Sequence, residues 1–151
     1  MKTTTILIVL LITISAYSQN TQMKKPTDLT KEFISDYKEW NDFAFKSKEN
    51  KTEDFKFKIG KMYDDLILKY CSPNKKYQGL AYGSSSNHCP NQEVILDELI
   101  DNNTAIVKTK FTNEKFSFLQ HNYEYHFILE NGKWILEELY LVDDDGKYKS
   151  L

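Results

Sequence analysis

The segment CSPNKKYQGLAYGSSSNHCP (71–90) collects residue types that can do chemistry: both cysteines, a serine triplet, two lysines, two tyrosines and His88. A serine or cysteine nucleophile needs a base such as histidine beside it. The chain contains no Gly-x-Ser-x-Gly elbow, and serine is common in turns. The segment is therefore predicted to be a binding loop rather than a catalytic one, with a purely structural connection as the alternative.

General acid–base chemistry is the best enzymatic option in the second half of the chain. In the hairpin predicted over residues 122–143, His126 faces Glu137, which favours the charged imidazole. Glu138 would lie among tyrosines on the other face, where desolvation raises a carboxyl pKa. A surface cross-strand pair and a core-edge acid bonded to a tyrosine hydroxyl are the alternatives, and both fit the pattern better. The histidines lack zinc-ligand spacing, and neither a metal nor a cofactor is expected.

Residues 1–18 have the pattern of a secretory signal peptide, with Lys2, an apolar run and small residues before a cleavage site after Ser18. The apolar run is shorter than the roughly 20 residues that span a bilayer. We therefore expect a periplasmic or secreted mature chain without a membrane span. Residues 19–27 are predicted to be a disordered lead-in to a single domain over 28–151.

Export bears on the two cysteines, because disulfides form in oxidising compartments. Cys71 and Cys89 are predicted to form a disulfide that clasps the 71–90 segment, worth roughly 3 kcal/mol in the chain-entropy model. Two free thiols are the alternative.

The composition argues against a nucleic-acid partner. The net charge is −2 at pH 7, and every basic residue is lysine. Nucleic-acid binders usually carry a basic surplus and arginine side chains that form bidentate contacts. The apolar content of 40% with few glycines and prolines is typical of one globular core.

Two amphipathic helices are predicted ahead of residue 71. The first lies within residues 26–50, with Thr27 or Asp28 as its cap and Pro26 just outside it, and the second covers 52–70. Apolar residues three or four apart give each helix a core stripe: Leu29, Phe33, Tyr37, Trp40 and Ala44 in the first, and Phe55, Ile59, Met62, Leu66 and Tyr70 in the second.

Alternation with period two then predicts two β-hairpins. The first turns at Asn102-Asn103, and one face carries Val94, Leu96, Ile100, Ala105, Val107 and Phe111. The second turns at Asn131-Gly132, the strongest short hairpin signal. The tail DDDGKYKSL is predicted to be a solvated end. Two helices followed by about four antiparallel strands make an α+β domain, with the helices packed on a curved sheet.

Several stretches together resemble a known family: DYKEWNDFAFK (36–46), the 69–90 segment, AIVKTK (105–110) and NYEYHFILENGKWILEELYLVDDDGKY (122–148). They are similar to RhsIA-type immunity proteins, which accompany Rhs polymorphic toxins. The resemblance implies the cone-shaped fold of nuclear transport factor 2. It also implies a non-enzymatic protein that binds and neutralises a cognate toxin domain. Export is a departure if the usual member is cytosolic.

The toxin-binding surface is inferred from the residues themselves, since the resemblance supplies no binding positions. Interfaces favour aromatic anchors ringed by complementary charge. The predicted contacts are Lys75, Lys76, Tyr77, Tyr82, His88, Glu137 and Asp143. The alternatives are a pocket enzyme or small-ligand binder on the same cone, and a secreted domain that forms a homodimer through Ile128, Ile135 and Leu139.

Overall fold

A computed structural model describes residues 23–49, 52–78 and 81–151. The predicted signal peptide and residues 19–22 of the predicted lead-in lie outside the described residues. The elements follow in the order α1 (Pro26–Lys46), a short 3₁₀ helix (Ser47–Glu49), α2 (Glu53–Tyr70), β1 (Glu93–Asp101), β2 (Thr104–Thr112), β3 (Gln120–Glu130), β4 (Lys133–Asp143) and β5 (Gly146–Lys149).

Both predicted helices are confirmed, with small differences at their ends. Pro26 lies in the first turn of α1, where its missing N–H needs no partner, and Lys25 is the cap residue. Pro26 is therefore inside the helix rather than just outside it, and neither Thr27 nor Asp28 is the cap. Cys71 follows the last turn of α2 and donates its backbone N–H to the Ile67 carbonyl at 2.8 Å.

The strands form one antiparallel sheet in the order β1-β2-β3-β4-β5. The helices pack on one face, where the buried core includes Phe33, Trp40, Val107, Tyr125 and Leu136. The α+β prediction is confirmed, with five strands instead of about four. The predicted solvated tail is wrong, because β5 pairs with β4 and Leu151 is 3% exposed.

Both predicted turns are confirmed by the pairing. Asp101 faces Thr104 and Glu130 faces Lys133, and Asn102 and Asn131 adopt positive φ angles of 50°. Asparagine tolerates this left-handed conformation better than most residues do. The register is therefore as predicted close to each turn.

Each hairpin then contains a β-bulge that the alternation did not predict. Leu96 is the extra residue in β1 and Glu137 the extra residue in β4, where His126 pairs with Glu138 and Phe127 with Leu136. Beyond a bulge, each side chain lies on the face opposite to the one that uninterrupted alternation predicts. Val94 is accordingly 56% exposed rather than in the core, and Leu139 is fully buried.

Candidate functional site

The first part of the 71–90 segment lies along the edge of β4. Cys71 forms an isolated parallel bridge with Leu136. The Tyr77 hydroxyl accepts a hydrogen bond from the Ser72 backbone N–H at 3.0 Å, and Lys75 Nζ donates to the Glu137 carbonyl at 2.6 Å. These contacts hold the turn after α2 against the bulge of β4.

The bulge places Glu138 in a charged cluster instead of among core tyrosines. Its carboxylate is 2.7 Å from Lys149 Nζ and 3.1 Å from Lys75 Nζ, and its side chain is only 4% exposed. Burial alone would raise the pKa of Glu138, but the hydrogen bonds from Lys149 and Lys75 outweigh it and the pKa lies below its ordinary value. Glu138 therefore joins the 71–78 turn and β5 to β4, and the raised pKa expected from the sequence is wrong.

The predicted pairing of His126 with Glu137 is also wrong. His126 Nε2 instead lies 2.9 Å from Glu124, which accepts a further hydrogen bond from Lys147 Nζ at 2.6 Å. Burial would raise the pKa of Glu124, yet these donors lower it. The group is an ion-pair network on the face of the sheet opposite the helices.

The predicted disulfide is wrong, because both cysteines are buried free thiols. Cys71 lies beside β4, whereas the Cys89 carbonyl accepts backbone bonds from Gln92 and Glu93 at the start of β1. Two intervening strands separate β1 from β4, so the thiols have different neighbours. Burial raises the pKa of Cys71 to about 12, which keeps this thiol protonated.

The second part of the segment carries His88 into the core, between the helices and the sheet. His88 Nδ1 lies 2.9 Å from both Glu93 Oε2 and the Tyr125 hydroxyl. The Tyr125 and Thr109 hydroxyls donate to Glu93 Oε1 at 2.8 Å and 2.6 Å. We call these four residues the buried polar cluster.

The cluster is closed to solvent. The side chains of His88 and Glu93 are 2% and 0% exposed, and the rings of Phe33, Tyr37 and Tyr123 surround the imidazole. Burial, reinforced by Glu93, raises the pKa of Tyr125 well above its ordinary value, so its hydroxyl stays a donor. The prediction of His88 as a surface contact is wrong, and its role is to satisfy buried polar groups in the core.

The aromatic residues that would line an open cone are buried: Trp40, Tyr63, Phe127 and Trp134 are 2%, 9%, 2% and 8% exposed. The Trp40 indole donates to the Ile59 carbonyl at 3.1 Å. These four side chains are therefore part of the packed core between the helices and the sheet.

A family model for NTF2 fold immunity proteins matches residues 25–150. The chain belongs to this family. No curated protein and no solved structure matches it. The match covers both helices and all five strands, and their α+β architecture is consistent with the NTF2 fold that the family description names.

Apart from the buried His88, the predicted contact residues of this immunity protein fall into two groups. Lys75 and Tyr77 are engaged in holding the 71–78 turn, as described above. Lys76, Tyr82, Glu137 and Asp143 are exposed, although Asp143 also accepts backbone bonds from Asp145 and Gly146 in the β4–β5 turn. The second group remains available for contacts.

Sequence reasoning missed two groups of exposed apolar residues of this immunity protein. Val94, Leu96, Leu99 and Ile100 of β1 are each more than half exposed, and so are Phe116 and Phe118 between β2 and β3. The sequence KFSFL in a short inter-strand segment was a detectable signal for the phenylalanines. The exposed residues of β1 carried no such signal, because the apolar pattern of EVILDELID resembles that of a strand covered on one face.

The described residues show neither a membrane-crossing helix nor a metal-binding group. No helix within 23–49, 52–78 and 81–151 is long and apolar enough to span a bilayer. The same ranges contain no cluster of three or more His, Cys, Asp or Glu side chains placed to hold a metal ion.

Proposed function

We propose that this immunity protein neutralises a cognate toxin domain of an Rhs-type polymorphic toxin system by binding it, without chemistry of its own. The observation that carries the proposal is the family match over residues 25–150. The sealed state of the buried polar cluster supports it, because a general base has to reach its substrate. The enzyme alternative has no comparable support, since its predicted His126–Glu137 pair does not form.

We also propose that the toxin is met outside the cytoplasm. This rests on the signal-peptide pattern of residues 1–18 alone. Mass spectrometry of the N-terminus from fractionated cells should find the chain starting at Gln19 in the periplasm or medium. An intact Met1 in the cytosolic fraction would contradict it.

The proposed contacts of the 71–90 segment and β4 are the exposed Lys76, Tyr82, Glu137 and Asp143. Tyr82 is 41% exposed and packs edge-on against Trp40, with ring centroids 6.1 Å apart. A supported aromatic ring of this kind loses little entropy on binding. Lys75 and Tyr77 are proposed to act through the shape of the turn that presents Lys76.

The test uses the toxin domain encoded next to the gene for this chain. Co-expression should protect cells from the toxin, and titration calorimetry should measure a complex with a dissociation constant of about 1 µM or less. An unrelated toxin domain serves as the control and should not bind. Absence of both binding and protection would refute the proposal.

A further inference from the structure

Strand β1 is an edge strand with an unusual number of exposed apolar side chains. It has β2 on one side only in the five-stranded order. Val94, Leu96, Leu99 and Ile100 are 56%, 59%, 51% and 53% exposed. Leu99 and Ile100 are neighbours in the strand, so they extend from opposite faces of the sheet. Soluble proteins normally cover or blunt such an edge, because its free backbone groups pair readily with another strand.

The backbone of β1 is open on its outer side within the part of the chain that the structure describes. Apart from pairing with β2, residues 94–101 make no backbone–backbone hydrogen bonds there. Helix α1 contacts the strand through Glu98, which accepts hydrogen bonds from the Thr27 backbone N–H at 2.8 Å and from its hydroxyl. This contact anchors the strand and leaves Leu99 and Ile100 uncovered.

The opposite edge of the sheet differs. Strand β5 has four residues, and the chain beyond it is fixed by a 2.8 Å bond from the Ser150 N–H to the Leu139 carbonyl. Gln78 also donates to the Lys149 carbonyl at 2.6 Å. Of the two edges, β1 is therefore the one free to receive a strand.

The charges of β1 indicate which kind of strand fits. Its sequence EVILDELID contains four acids and no lysine. Glu93 is buried and Glu98 is bound to Thr27, while Asp97 and Asp101 remain exposed. Antiparallel pairing of two copies about the middle of β1 would place Asp97 opposite Asp97 or Glu98, and like charges directly opposite are destabilising. A segment with lysine or arginine on either side of apolar residues would be complementary, because Asp97 and Asp101 flank Leu99 and Ile100.

We propose that β1 binds an extended segment of the toxin domain as a sixth strand of the sheet, with basic residues opposite Asp97 and Asp101 and apolar residues opposite Leu99 and Ile100. The inference rests on the proposed function. Asp97–Asp101 is the uninterrupted stretch beyond the Leu96 bulge, and its five residues match the usual length of a strand. Main-chain bonds supply affinity in this mode, and the side chains of Leu99 and Ile100 supply apolar contacts.

The segment after β2 extends this surface at the start of β1. The Thr112 N–H donates to the Gln92 carbonyl at 2.8 Å, and the Glu114 N–H donates to the Gln92 side chain at 3.0 Å. Phe116 and Phe118 follow, 52% and 78% exposed with ring centroids 5.9 Å apart. They would contact the bound segment only where it runs past the Leu96 bulge toward the start of β1.

The test compares lysine substitutions on β1 with one elsewhere. Leu99→Lys and Ile100→Lys place a positive charge against the basic segment and should weaken binding of the adjacent-gene toxin domain by about tenfold or more. Phe57→Lys is the matched control, because Phe57 is 75% exposed on α2, and its affinity should equal that of wild type. Circular dichroism should show all three variants folded.

Hydrogen exchange separates strand addition from side-chain contact alone. Amides within residues 94–101 that do not bond to β2 should gain protection when the toxin domain binds. If wild type binds but Leu99→Lys and Ile100→Lys bind equally well, or these amides stay unprotected, the edge proposal is refuted and the proposed function stands. A wild type that does not bind refutes both. If the substitutions only convert a dimer to a monomer in sedimentation, the occupant is a second copy and the toxin-strand proposal is wrong.

Discussion

The buried polar cluster allows a quantitative test of the core, through the substitution Tyr125→Phe. Tyr125 is fully buried, and its ring packs edge-on against Phe33 with centroids 5.9 Å apart. Phenylalanine keeps that packing and removes only the hydroxyl, which donates to Glu93 at 2.8 Å and contacts His88 at 2.9 Å. The change therefore isolates the hydrogen bonds of one atom.

A hydrogen bond contributes about 0.5–1.5 kcal/mol to stability, and the Tyr125 hydroxyl makes two contacts of this kind. Glu93 Oε1 keeps the bond from the Thr109 hydroxyl in the variant, and His88 still contacts Oε2. We therefore expect Tyr125→Phe to lower the free energy of unfolding by about 2 kcal/mol. Thr109→Val removes one hydrogen bond and should cost about 1 kcal/mol. The double variant leaves Oε1 without either donor, so its loss should exceed the sum of the single losses by at least about 0.5 kcal/mol.

Urea unfolding followed by tryptophan fluorescence measures these changes, since Trp40 and Trp134 are both buried. Tyr82→Phe is the control, because no hydrogen bond of the Tyr82 hydroxyl is present among the described residues, and its effect should be within about 0.5 kcal/mol. A loss below about 0.5 kcal/mol for Tyr125→Phe would refute the reasoning. Strict additivity in the double variant would show that the two hydroxyls do not share Glu93 as described.

Three further predictions concern other parts of the molecule. The pKa of Glu138 is lowered in the folded state, so its ionised form stabilises the fold above the ordinary carboxyl value of 4.5, and this stabilisation is lost as pH falls through the folded-state pKa. In an acid titration the Glu138→Gln variant should therefore lose stability less steeply than wild type below about pH 5. An unchanged slope would contradict this. Intact-mass analysis should find Cys71 and Cys89 reduced, with Cys71 alkylated only after unfolding; rapid labelling of Cys71 in the native state would refute its burial. Gly132→Ala should destabilise the fold by about 1 kcal/mol because φ there is +75°, whereas Gly60→Ala in α2 should stabilise it by about 0.5–1 kcal/mol. If the two substitutions shift the thermal unfolding midpoint in the same direction, the backbone argument is wrong.

The sequence determined the order and type of the main elements. Helical spacing of apolar residues located α1 and α2, and the Asn131-Gly132 pair located the β3–β4 turn. These signals are local: a helix face, a strand alternation and a turn each depend on residues within a few positions of one another. The family resemblance rested on the same stretches, and it led to the fold that the structure has.

The tertiary structure decided the positions of the site residues. A bulge inserts one residue without changing the apolar pattern near it. Alternation alone therefore could not reveal that Glu137 is the extra residue of β4, which exchanges the faces on which Glu138 and Leu139 lie. The predicted pairing of His126 with Glu137 and the exposure expected for Leu139 were both wrong for this one reason.

The same holds for contacts between distant segments. Whether His88 is a surface contact or a core residue depends on Glu93, Thr109 and Tyr125, which lie on three different strands. Whether two cysteines pair depends on where α2 and β1 place them. The exposure of β1 depends on which strand ends the sheet and on how far α1 covers it, and this is a property of the assembled layers that no single segment encodes.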